Sequence, residues 1–82
     1  MIEVTRLYRL NGDSYLKAFA DITVENQVLI KGVKVVKDRD GNISVVMPKQ
    51  KGKNGKLYET VSLLSDETKQ ELQEVVLEAY NV

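Results

Sequence analysis

The chain has 82 residues and 9.3 kDa, with 12 Lys+Arg against 12 Asp+Glu, 43% hydrophobic and 29% charged residues. That is the composition of one globular domain over residues 1–82, too short for a second domain and too apolar for a disordered tail. It contains no Cys and no His, which excludes disulfides and thiolate chemistry and removes the commonest general base and metal ligand. No apolar run approaches the ~18 residues of a membrane span. The opening Met1-Ile2-Glu3-Val4-Thr5-Arg6 also lacks the basic-then-apolar order of a signal peptide, so a soluble, cytoplasmic protein is expected.

Ile2–Leu10 and Tyr15–Val24 read as strands about Asn11-Gly12, a type I′ hairpin signal. In the second strand Leu16, Ala18, Ala20, Ile22 and Val24 alternate with Tyr15, Lys17, Phe19, Asp21 and Thr23. One apolar face at period two is the pattern of an antiparallel sheet covered on one side. Glu25-Asn26 turns the chain into Gln27–Lys37, where Gly32 marks a bulge or break. Asp38–Gly41 turns it again into Ile43–Met47, ended by Pro48. A lysine-rich segment then peaks at Asn54-Gly55, a second type I′ signal, and feeds a strand near Leu57–Leu63.

The period changes after Leu64. Leu72, Val75, Val76 and Ala79 stand at helical spacing and form one apolar stripe. Ser65 or Asp66 can cap the first N–H groups, and Asp66 and Glu67 suit the positive end of the helix dipole. Glu67, Glu71, Glu74 and Glu78 collect on the solvent side, with Lys69, Gln73, Leu77 and Tyr80 as a strip beside the apolar stripe. The expected fold class is α+β: an antiparallel sheet of about five strands followed by one C-terminal amphipathic helix.

Charge is unevenly placed despite the neutral total. Residues 49–56 hold Lys49, Lys51, Lys53 and Lys56 with no acid, while residues 57–82 set Lys69 against six acids. Four ammonium groups on a turn can lie along a phosphate backbone and displace counterions without reading a base. The plainer alternative is a solvated hairpin whose lysines discourage edge pairing. Leu77 and Tyr80, off the main stripe, either extend the core or cover a second copy; the dimer interface is favoured, because an uncross-linked chain this short has a thin stability margin. Arg6 and Arg9 fall on opposite faces of the first strand. Tyr8, Tyr15, Phe19 and Tyr58 could stack on unpaired bases, although core or interface packing is the commoner fate of such residues.

Catalysis is not expected. Without His or Cys, a carboxylate, Lys or Tyr would have to act from a pocket. Gly52–Lys56 fails as a phosphate-binding loop, since Gln50 stands where the first Gly is needed and Leu57 follows Lys56. Asp38-x-Asp40-x-Asn42 opens like a calcium loop, but Ile43 and Lys49 occupy the positions of its Gly and Glu. No metal, cofactor or small-molecule substrate is therefore expected.

Leu16-Lys17-Ala18 with Ile22-Thr23, Val45-Val46-Met47-Pro48, the lysine-rich stretch through Asn54-Gly55, and Val75–Tyr80 together resemble the SpoVG family of small bacterial septation and sporulation regulators. The similarity runs nearly end to end. It implies an α+β fold, a homodimer, and binding of DNA and RNA with little or no sequence preference in gene regulation. It also directs attention to Lys69, the basic group at the helix start, beside Lys49, Lys51, Lys53 and Lys56 as nucleic-acid contacts. The chain departs from the family pattern at Ser62-Leu63-Leu64, where a His-Pro-Ile-like run is usual, and at Leu57-Tyr58, where an aromatic-Arg pair is usual. Gln70 and Glu71 stand where further basic residues are usual, and the stretch from Asp40 to Met47 is one residue longer. The competing reading is a protein-interaction or structural module without a nucleic-acid role.

Overall fold

A computed structural model, which describes residues 1–12 and 14–81, shows six strands and one helix among those residues. They are β1 Ile2–Arg9, β2 Leu16–Val24, β3 Val28–Lys37, β4 Ile43–Val46, β5 Lys49–Lys51, β6 Leu57–Glu59 and α1 Asp66–Tyr80. The first four form an antiparallel sheet in the order β1-β2-β3-β4, and β5-β6 form a separate antiparallel ribbon. The α+β architecture is as expected. The strand count rises to six because Lys49–Lys51 pairs with a last strand that stops at Glu59 rather than reaching Leu63.

The core lies between the sheet and α1. Ala18, Ala20 and Ile22 of β2 and Ile30, Val33 and Val35 of β3 are buried, with Ile2 of β1 and Leu72 and Val76 of α1 packed on them. The helix contacts both edge strands, β1 and β4, and so spans the sheet. No described helix is long and apolar enough to cross a membrane.

Three bulges decide which side chains reach this core. In β1, Val4 and Arg6 face the consecutive residues Ile22 and Asp21, leaving Thr5 as the extra residue. Val4 and Leu7, three apart, therefore both pack inward. In β3, Ile30 pairs with Ile22 and Val33 with Ala20, so Lys31 and Gly32 together stand opposite Asp21. Gly32 adopts a φ of 85°, the left-handed region that costs other residues most, which supports the bulge expected there. In β2 the extra residue is Lys17, and Leu16 pairs with Val36 instead of continuing the Ala18–Val24 face. Leu16 thus lies outside the core it was expected to join, since one added residue moves a strand's earlier positions to the other face.

The turns also differ from their sequence signals. Only Glu25 and Asn26 among described non-glycine residues have positive φ, and Gln27 N–H donates to the Val24 carbonyl at 3.0 Å, closing a tight two-residue turn. Asn11-Gly12 forms no such turn. β1 and β2 are joined across a longer loop whose mouth is closed by Leu10 N–H donating to the Lys17 carbonyl at 2.9 Å. At Asn54-Gly55 the loop holds three residues: Gly55 N–H donates to the Gly52 carbonyl at 3.0 Å, Gly52 N–H to that of Lys56 at 2.8 Å, and Gly55 takes the left-handed position with φ 80°.

Both helix ends are satisfied. Ser65 is the N-cap, its Oγ accepting from Thr68 N–H at 3.1 Å, with Asp66 and Glu67 in the first turn. The last turn carries no basic residue. Arg9 of β1 supplies that charge instead, donating from Nη2 to the carbonyls of Ala79 and Tyr80 with its guanidinium 5.6 Å from the Tyr80 ring centroid.

Candidate nucleic-acid interface

After β4, Met47-Pro48 leads the chain out of the sheet and into the β5–β6 ribbon. The ribbon's base is closed by Thr60, whose N–H and Oγ1 both donate to the Pro48 carbonyl, at 3.0 and 3.3 Å. All six of its strand residues are exposed. A two-stranded ribbon with no apolar layer beneath it contributes little to folding. Its lysines therefore stand free of the core and exposed to solvent.

Pairing divides the ribbon into two faces. Lys49 faces Glu59 and Lys51 faces Leu57, whereas Gln50 faces Tyr58 on the other side. By strand alternation Lys56 shares the side of Tyr58, and Lys53 sits in the turn. The four lysines of the sequence reading thus surround the ribbon rather than line one surface, and Glu59 offsets part of the charge of Lys49.

Lys69 lies near the ribbon's base. A groove of about 470 Å³ runs between β4, the segment after β6 and the first half of α1, lined by Val45, Val46, Met47, Glu59, Ser62, Leu63, Lys69, Leu72 and Gln73. Because Glu59 is both a wall of this groove and the partner of Lys49, the fold brings Lys69 to the side of the molecule that carries the lysine ribbon. Leu77 and Tyr80, expected at a dimer interface, are half-buried and pack against the core of the chain itself, Tyr80 beneath Arg9.

The acidic face of α1 differs from the sequence reading at one position. Glu67, Glu74 and Glu78 are exposed, but Glu71 is half-buried and its Oε2 accepts the Ile2 N–H of β1 at 3.0 Å. The edge strand β1 lies along this flank of the helix, so Glu71 satisfies a backbone donor that the sheet leaves unpaired. Glu71→Lys removes the acceptor and is expected to destabilise the fold by about 1–2 kcal/mol, with Glu71→Gln costing less because its amide oxygen still accepts. Urea denaturation of the two variants measures the difference; equal stability of Glu71→Lys and wild type would show that this bond contributes nothing.

On the sheet face away from α1, Tyr8, Phe19, Lys34 and Val46 pair in a row across all four strands. Arg6 donates from Nη1 to the Tyr8 hydroxyl at 3.1 Å and pairs in register with Asp21. The Tyr8 bond, and secondarily the Asp21 charge, hold the Arg6 pKa above its ordinary value. Among the described residues no three His, Cys, Asp or Glu side chains come together as metal donors.

These features define a class: a two-layer α+β protein whose one-helix, four-stranded body carries a separate, lysine-bearing ribbon. The SpoVG family model matches residues 1–82. A SpoVG septation protein of Archaeoglobus fulgidus is 33% identical over 82 residues, covering 98% of this chain and 95% of the relative. One from Brevibacillus brevis is 30% identical over 82 residues, covering 98% and 85%, and one from Clostridium perfringens is 25% identical over 75 residues, covering 92% and 82%. The chain belongs to the SpoVG family.

Proposed function

We propose that the protein acts by binding rather than catalysis, as a homodimeric cytoplasmic regulator that engages DNA or RNA with little sequence preference, in the septation its relatives are named for and the sporulation the family resemblance implies. The observation that carries this reading is the β5–β6 ribbon. Lys49, Lys51, Lys53 and Lys56 are all exposed on an element that packs on no core. Phosphate binding by counterion release gives such an element a purpose that folding does not. Lysine offers a point charge rather than a fork, so the contact positions a backbone and leaves bases unread.

Surface area supports the dimer. The chain exposes 6159 Å², whereas a compact chain of its mass exposes roughly 5,000 Å². The surplus exceeds the ~800 Å² that one partner contributes to a standard interface. Leu57 at 65% and Leu64 at 99% exposure mark where apolar area remains uncovered. The same two residues favour the second reading, a surface for another protein, and salt separates the two. With four phosphates engaged per ribbon, log K against log salt is expected to fall with a slope of about −3.6 on duplex, or roughly −7 when both ribbons of a dimer bind. Fluorescence anisotropy with a labelled duplex across a salt series reads that slope, and light scattering should return twice the 9.3 kDa chain mass. A flat response with no binding at low salt would hand the protein to the second reading.

A further inference from the structure

The ribbon holds one feature that phosphate binding does not require. Tyr58 projects from β6 on the face opposite Lys49 and Lys51, and the Cδ2–Cε2 side of its ring lies over Gly52 across the ribbon. A Cβ added at Gly52 would come within 2.7 Å of Tyr58 Cε2, so only glycine leaves room for the ring in this seat. Asn54 fixes the far end of the side chain, donating from Nδ2 to the Tyr58 hydroxyl at 2.8 Å. Asn54 is itself held, its Oδ1 accepting from Lys56 N–H at 3.1 Å. The ring is thus held along one side and at its tip, yet it is 51% exposed and belongs to no part of the core.

We propose that Tyr58 is a stacking platform for an unpaired nucleotide base, which makes the ribbon bind single-stranded nucleic acid in preference to the duplex that its lysines alone would hold. The inference rests on the nucleic-acid reading above and specifies its ligand. Every base has a π-face, so a seated aromatic ring accepts any of them, while a base inside a duplex has both faces covered by its neighbours. Charge complementarity selects the occupant. Lys56 shares the face of Tyr58 and Lys53 stands at the turn beside it, with no acid between Lys49 and Tyr58 to repel a phosphate. Gln50, paired directly with Tyr58, puts an amide donor and acceptor at the edge of a stacked base. Holding the ring in advance lowers the ordering cost of binding, which is the role left for the Gly52 seat and the Asn54 bond.

The test compares a fluorescein-labelled oligothymidylate with a mixed-sequence duplex of equal length, at low salt, for wild type, Tyr58→Leu, Tyr58→Phe and Gly52→Ala. Wild type is expected to prefer the single strand and to alter the fluorescence of an oligonucleotide carrying 2-aminopurine, a stacking-sensitive base. Tyr58→Leu is expected to weaken oligothymidylate binding by about 5- to 100-fold, the usual range for losing one stacked base, with duplex binding changed less than about 2-fold. Tyr58→Phe keeps the ring and stays near wild type, while Gly52→Ala displaces the ring without deleting it and gives a partial loss. Equal losses on both ligands, no loss with Tyr58→Leu, or a change of mass in solution for that variant would overturn the assignment. Salt-dependent duplex binding without a single-strand preference would overturn the platform alone, whereas wild type binding neither ligand would remove the nucleic-acid reading with it.

Discussion

Replacing Lys49, Lys51, Lys53 and Lys56 together by Gln is expected to lower nucleic-acid affinity at low salt on the order of 10³-fold and to flatten the salt slope by about 3.6 per ribbon. The fold should survive. All four side chains are exposed, the strand residues of the ribbon have no part in the core, and surface changes of this kind shift stability by a few tenths of a kcal/mol each. Gln keeps most of the side-chain length and loses only the charge, so a loss of binding reports electrostatics rather than shape. Anisotropy titrations at several salt concentrations, with thermal unfolding as control, measure both halves. Wild-type affinity and slope in the quadruple variant would place the binding surface elsewhere, with the open sheet face of Arg6, Tyr8, Phe19 and Lys34 as the next region to mutate.

Ile22→Ala should be the most damaging single substitution to the fold. Ile22 is 0% exposed and pairs with both Val4 and Ile30, at the point where the bulges of β1 and β3 bring three strands into one layer. Removing its outer carbons leaves a cavity that the sheet cannot collapse around, at a cost of about 3–4 kcal/mol. Against a total stability of about 5–15 kcal/mol this is severe, and the melting temperature should fall on the order of 20 °C. Leu10→Ala, at a residue 42% exposed and outside every strand, is the matched control and should stay within about 1 kcal/mol of wild type. Similar melting temperatures for the two variants would mean that the Ile22 layer is not what holds the protein together.

Function reads from the sequence unevenly. The lysine cluster was legible because charge density along eight residues, 49–56, is visible without coordinates. Its division into two faces was not, since that depends on pairing Gln50 with Tyr58 and Lys51 with Leu57 across a three-residue loop. Tyr58 carried no local signal to distinguish it from a residue destined for a core or an interface. Its seat is made by Gly52, six positions earlier and across the ribbon, and by Asn54, four positions earlier and in the turn itself. Lys69 was legible as a charge at the start of a helix, but its nearness to Glu59 and the ribbon follows from where α1 crosses the sheet.

By itself the sequence determined the properties that live within one element: the alternation of Ala18, Ala20 and Ile22, the stripe of Leu72 and Val76, the Ser65 cap and the lysine-rich turn. Each is set by a local period or a local hydrogen bond, so neighbouring residues are enough to specify it. Tertiary structure decided the properties that need two elements at once. Leu16 left the core because Lys17 inserts into the pairing with β3, Arg9 became the cap of a helix 70 residues away, and Glu71 became the partner of an edge-strand amide rather than a solvated acid. Period-two and helical patterns specify a face but neither the strand register nor the side of the helix that a neighbour occupies. Those are settled only when apolar layers pack, where one added residue reverses which side chains point inward.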